Sequence, residues 1–242
     1  MFSSNNSVFI DIVASVLSYA ICHSVYELQQ IIFVLAKGHF DMHLRRKIFH
    51  ITVGLVFMLC WPMFSSGRLG AVLAGILPGV YTFRLMLIGI KKDDKLIEKL
   101  DGRYRDYRDI LKAAMGYALG IFLASTFYWR NPIAIAAISN LCAGDGMADI
   151  VGRRFGSWKL PYNKNKSLVG SIGMTFAGFL ASTWFMYYFS WFGYIKETPN
   201  MVLKLFIVSV ASALVESHPL STKIDDNLTV PLAAMLIGSF VF

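Results

Sequence analysis

An all-α bundle of about seven or eight membrane-crossing helices is the fold that this sequence predicts. Three observations predict it. Of 242 residues, 56% are hydrophobic and only 16% charged, and the mean hydropathy is +0.55, outside the usual range for soluble globular domains. The apolar residues fall into runs near 8–35, 48–64, 69–90, 113–129, 132–150, 168–192, 201–216 and 229–242, most of them close to the ~20 residues that cross a hydrocarbon core. The cations between those runs are unequally distributed. With the runs threaded alternately, one side collects Lys37, Arg45, Arg46, Lys47, the basic residues from Lys91 to Lys112, those from Arg153 to Lys166, and Lys223; the other has only Arg68, Arg130 and Lys196. This is the positive-inside pattern, and it puts both termini on the charge-poor side. The whole chain, 1–242, reads as a single integral-membrane domain.

The elements follow in order. The first run carries Asp11, His23 and Glu27, and the third carries Arg84; ionisable groups at such depth need partners or a water-lined cavity. The last run is short enough to be a partial or re-entrant segment. Cys22, Cys60 and Cys142 lie in apolar runs without zinc-type spacing and read as small buried hydrophobes. The opening MFSSNNSVFIDIV has neither the basic n-region of a signal peptide nor the Arg- and Ser-rich character of a transit peptide. The formal net charge of +8 is explained by the loop asymmetry, so no nucleic-acid partner is expected. The stretch 91–112, KKDDKLIEKLDGRYRDYRDILK, mixes signs and suits an interfacial connector resting on anionic headgroups.

Polar chemistry collects on the cation-rich side. In LCAGDGMADIVGRRFGSWKLPYNKNKS, Asp145 and Asp149 are four apart, so a helix would set both carboxylates on one face. Gly144 and Gly146 flank the first and would let a phosphate or metal approach the backbone. Arg153, Lys164, Lys166 and Ser167 follow, and fixed cations beside metal-binding carboxylates are what phosphoryl transfer requires. On the same side, VESHPLSTKIDDNLTVP offers Glu216, Asp225, Asp226 and Asn227, oxygen donors that suit magnesium; Asp226 and Asn227 also read as N-cap residues for the run that follows. In HLRRKIFHITVG, Arg46 and His50 share a helical face with Lys47 beside them. There is no G-x-x-x-x-G-K-[ST] phosphate loop and no protein-kinase signature. A site at the water-facing ends of apolar helices suits an amphiphile whose hydroxyl sits at the interface while its tail stays in lipid.

The runs GDGMADIVGRRFG, KLPYNKNKS and GSIGM, with ESHPLSTKIDDNLTVP downstream and RRKIFHITVGLVFMLCWPMFSSG upstream, resemble the polyprenol kinase family, and within it the plant phytol and farnesol kinases. The resemblance runs in the same order over nearly the whole chain. It implies transfer of the terminal phosphate of a nucleoside triphosphate, often CTP, to an isoprenoid alcohol such as farnesol, geranylgeraniol or phytol. It implies a magnesium site among Asp145, Asp149, Glu216, Asp225, Asp226 and Asn227, and nucleotide binding by Gly144, Gly146, Arg153, Lys164, Ser167, Arg46 and Lys47. Asp145, Asp149 and Lys166 would be catalytic, and His50 would meet the substrate hydroxyl. A chloroplast membrane is implied by the resemblance alone. His218 stands where an aliphatic residue is expected. Two other classes compete: a CTP-dependent lipid cytidylyltransferase, which would release pyrophosphate, and a secondary transporter, which would carry its charges near the midplane in repeated halves.

Overall fold

The structure is a computed structural model and describes residues 2–36, 40–90 and 107–242. It is almost entirely helical. In chain order the helices are α1 (Phe2–Leu35), α2 (Met42–Leu59), α3 (Arg68–Ile90), α4 (Tyr107–Phe127), α5 (Pro132–Ser139), α6 (Asp145–Phe155), α7 (Leu168–Trp191), α8 (Met201–Ser217), α9 (Pro219–Ile224) and α10 (Asp226–Val241). Strands β1 (Lys159–Leu160) and β2 (Asn163–Ser167) pair antiparallel as a small hairpin between α6 and α7. Each apolar run of the sequence coincides with a helix, including the last, which forms a full helix. The mixed-charge stretch from Lys91 to Asp106 lies outside the described residues.

Among the described residues, four helices are long and apolar enough to cross a membrane, covering Ser7–Leu35, His43–Met63, Pro132–Phe155 and Leu168–Trp191; shorter apolar helices cover Arg68–Val80, Lys112–Phe127 and Asp226–Val241. The rod formed by α5 and α6 is the buried centre: Ala134 through Cys142 have no accessible surface. The outer helices present large apolar side chains outward, among them Phe9 and Val16 on α1, Phe176 and Trp184 on α7 and Leu236 on α10. That is the inverse of a soluble fold, where a helix turns polar residues outward.

Local chemistry sets the helix ends. Asn131 accepts a hydrogen bond from the Ile133 N–H, with Pro132 opening α5; Asp41 caps α2 through the Leu44 N–H; and Ser167 caps α7 through the Gly170 N–H. These are the side-chain types that satisfy orphan amides of a first turn. For α10 the cap is Asp225, whose carboxylate accepts from the Asn227 N–H at 2.9 Å. Capping was expected of Asp226 and Asn227, but the helix begins at Asp226, and its carboxylate is thereby left for other work.

The contacts divide the bundle into two ends. At the end poor in cations, the buried Asp11 accepts from the backbone N–H and hydroxyl of Ser65. Arg130 donates to the carbonyls of Trp61 and Phe64 and to Ser66, and its guanidinium lies 3.9 Å from the Tyr194 ring and 4.8 Å from that of Trp129. Tyr188 donates to the Leu59 carbonyl, and Tyr128 pairs with Ser239. Asp11 and Ser239 therefore share this end, while Lys47, Lys166, Glu216 and Asp226 meet at the other.

Arg130 ties three connections together through charge-assisted hydrogen bonds, so Arg130→Met should cost about 3 kcal/mol, because two backbone carbonyls lose their donor. The check is thermal unfolding of the detergent-solubilised protein. Arg130→Lys should recover only part of the loss, since an ammonium lacks the planar fork that serves both carbonyls and both rings.

Candidate active site

The site begins with an irregularity in the central rod. Between α5 and α6, residues Asn140–Gly144 form a wide π-turn. One extra residue in a turn frees a carbonyl and rotates everything beyond it, which is why such turns recur at functional sites. Here the Asp145 N–H bonds to the carbonyls of Asn140 and Cys142, and the Leu141 carbonyl lies 2.9 Å from His50 Nε2. The side chain of Asn140 steadies the turn by donating to the Ala136 carbonyl and to Ser209 on α8. Space for it exists only because residue 178 is glycine: a Cβ there would lie 2.1 Å from Asn140 Oδ1.

The rotation aims Asp145 at α2. Its carboxylate is 2.7 Å from Lys47 Nζ and 3.6 Å from His50 Nε2, and Lys47 and Asp145 are both buried. Lys47 and His50 thus share the working face of α2, three residues apart. The sequence led to the expectation that Arg46, four before His50, shares this face with Lys47 beside it; Arg46 is half-buried and Lys47 is buried. Tyr117 of α4 closes the back of the histidine, with ring centroids 4.5 Å apart and its hydroxyl donating to the His50 carbonyl at 3.2 Å.

A second arm comes from the hairpin. Asn163 donates to the Ser217 carbonyl and Tyr162 pairs with the Ser217 hydroxyl, fastening the hairpin to the end of α8. Lys166, near the end of β2, is held against Glu216 and lies 3.4 Å from Asp226. Burial opposes its charge, but the Glu216, Asp226 and Asp145 carboxylates outweigh burial and raise its pKa above the ordinary lysine value. A raised lysine pKa means that its contribution is fully present at neutral pH and is lost only as pH climbs through the alkaline range. Asp225 adopts φ +117°, a strained conformation for a side-chain-bearing residue, and burial pushes its carboxyl above the usual range.

Oxygen atoms of Asp145, Glu216 and Asp226 all lie within 4.8 Å of one another. These three carboxylates come from three helices and, among the described residues, outnumber the two lysine ammonium groups that reach them. An all-oxygen set with residual negative charge fits a hard divalent cation such as magnesium.

Comparison with known proteins places the chain. Over 209 residues the chain is 56% identical to the chloroplastic farnesol kinase of Arabidopsis thaliana, covering 85% of this chain and 68% of that one. It is 53% identical over 205 residues to probable phytol kinase 3, chloroplastic, of Glycine max (84% and 64% covered), and 51% identical over 209 residues to probable phytol kinase 2, chloroplastic, of Oryza sativa subsp. japonica (85% and 68% covered). The chain belongs to the plant farnesol and phytol kinase family, a family of alcohol phosphotransferases. No family model and no solved structure matches it.

Within this kinase the expected site residues divide. Asp145, Lys47, His50, Lys166, Glu216 and Asp226 converge. Asp225 and Asn227 stand beside them at the start of α10. Asp149 instead pairs with Arg153 one turn along α6, at 2.9 Å, away from the three-carboxylate cluster. Lys164 is exposed, and Ser167 serves as a helix cap. Gly144 and Gly146 are buried, and the space a side chain would take is filled by Met174 and Ile51, so they act in close helix packing. Sequence reading missed Tyr117, Asn140 and Asn163 as supports. Asn163 carries a signal, a polar residue alternating with lysines in NKNKS; Tyr117 in an apolar run carries none.

Lys47→Met would strand the Asp145 carboxylate without its cation, at about 3–5 kcal/mol. Asp145→Asn should cost less, because the amide oxygen can still accept a hydrogen bond from Lys47. The double variant should regain most of the stability lost by Lys47→Met, measured by thermal unfolding, while remaining inactive.

Proposed function

We propose that this chain is a multi-pass integral-membrane kinase, one domain over 1–242, that transfers the terminal phosphate of CTP or another nucleoside triphosphate to an isoprenoid alcohol. Farnesol, geranylgeraniol and phytol are the acceptors of choice, and the product is the isoprenyl monophosphate. The observation that carries the reading is the convergence of Asp145, Glu216 and Asp226 with Lys47 and Lys166, in a chain 56% identical to a farnesol kinase. Four span-length apolar helices and the one-sided cations support the bilayer setting. The relatives are named chloroplastic, and a chloroplast membrane is proposed here on that basis.

Phosphoryl transfer asks the protein for positioning and charge more than for covalent chemistry. Magnesium, held by Asp145, Glu216 and Asp226, would neutralise the charge of the phosphate groups. Lys166 enters the same cluster already cationic, and Lys47 holds the Asp145 carboxylate in place through a charge-assisted hydrogen bond. Arg153 and Lys164, both exposed on the segments that carry Asp145 and Lys166, offer further cations to a nucleotide that approaches from water. His50, oriented by the Leu141 carbonyl and Tyr117, borders the place for the acceptor hydroxyl, and one carboxylate of the cluster accepts its proton.

The test is a transfer assay on membranes containing the full chain, with CTP or ATP, magnesium, and each alcohol in turn, scoring the lipid product and the nucleotide product. Isoprenyl monophosphate with CDP or ADP is expected. Release of pyrophosphate would instead identify a cytidylyltransferase, and absence of both products from a folded, nucleotide-binding preparation would overturn the enzymatic reading.

Asp145→Asn should lower kcat/KM by about a thousandfold or more, the scale of a lost electrostatic anchor at a charged transition state. Lys166→Met should lower it by about a hundredfold or more, with the loss mainly in kcat. Activity near wild type in Asp145→Asn would remove that residue from the site.

A further inference from the structure

The hairpin that delivers Lys166 has an outer surface that the transfer chemistry leaves unused. Its inner residues Leu160, Asn163 and Ser167 are buried against the bundle. Just before and along it, Phe155 is 61% exposed and Trp158 74% exposed, and Arg154 and Lys159 are exposed beside them. The charge is of one sign: the sequence contains no acidic residue between Asp149 and Glu197. The position is equally specific. α6 ends at Phe155 and α7 begins at Leu168, and both belong to helices long and apolar enough to cross a membrane, so the segment between them stands at a bilayer boundary on the reading proposed above. Two exposed aromatics would be a liability in water. At a headgroup layer, an indole finds both an apolar and a polar phase, and neighbouring cations are attracted to anionic lipid.

We infer that Phe155, Trp158, Arg154 and Lys159 form a docking surface for the headgroup region of an anionic bilayer, with Trp158 seated among the headgroups. This inference rests on the membrane reading. None of the four belongs to the cluster of Asp145, Glu216 and Asp226, so the surface is separable from the chemistry.

The experiment uses the full chain reconstituted into bilayers of zwitterionic phosphatidylcholine, with or without about one-third phosphatidylglycerol, in which either lipid carries bromine near the headgroup end of its acyl chains. Tryptophan emission is compared between the parent chain and Trp158→Phe, and the difference isolates Trp158. Brominated phosphatidylglycerol is expected to quench that difference about twofold more than brominated phosphatidylcholine, and the excess should vanish in Arg154→Ala/Lys159→Ala and in high salt. A Trp158 emission quenched by neither lipid, or by both equally in every variant, would overturn the inference. Trp184 and Trp191 on α7 are 54% and 86% exposed and serve as the internal reference. If they too escape quenching by chain-brominated lipid, the membrane reading itself fails; if they are quenched and Trp158 is not, only the docking surface fails.

Discussion

The pair formed by Lys47 and Asp145 is the interaction on which the rest of this molecule depends. A charge without water is held only by an opposite charge and hydrogen bonds, and both of these groups are buried. Satisfying them fixes the rotation of α2 against the central rod, and with it the position of His50. It also explains the π-turn. A regular helix through 140–145 would carry Asp145 round to another bearing, and the Leu141 carbonyl would be spent inside the helix instead of facing the histidine. The supports accumulate outward from there: Asn140 holds the turn, Gly178 makes room for Asn140, and Tyr117 backs His50.

The two ends of the bundle solve different problems. At the cation-poor end Arg130 and Asp11 are consumed by backbone groups of the connection after α2, and aromatic rings close over the arginine. Asp11 and the terminal nitrogens of Arg130 there are held by structural partners, which ties the connections together. At the opposite end, among the described residues, the three clustered carboxylates exceed the two lysine ammonium groups that meet them. That excess destabilises the resting protein and favours whatever cation arrives. Strain is stored in the same place: Asp225, with φ +117°, opens the helix that presents Asp226.

Most of the fold was legible in the sequence because hydrocarbon burial is written as long apolar runs, and all eight runs became helices. The site was legible as a list of motifs and only partly as an arrangement. Asp145 and Asp149 look equivalent at a spacing of four, yet the π-turn sends the first inward, and Arg153 at i+4 takes the second. Arg46 and Lys47 are adjacent cations, and nothing local says which one faces the core; Asp145, 98 positions away, decides. The glycines of GDG read as a phosphate cradle and prove to be helix contacts, because their neighbours Ile51 and Met174 come from distant parts of the chain. Long-range packing selects among locally equivalent residues, and no window of sequence contains it.

The hairpin shows how surface and chemistry are joined. Lys166 and Ser167 are consecutive: the first completes the acidic cluster and the second caps α7. Asn163 and Tyr162 bind the other side of the same hairpin to Ser217, the residue after Glu216. A two-residue connection, Pro161 and Tyr162, leaves the hairpin little freedom to take up one of these contacts without the others. A displacement of the hairpin that lifts Lys166 from Glu216 would therefore also strain the start of α7 and the end of α8. A site assembled from five separate elements is kept in register by contacts only one or two residues away from the charges themselves, and this is why a small element can position a lysine against two carboxylates at the mouth of a largely apolar bundle.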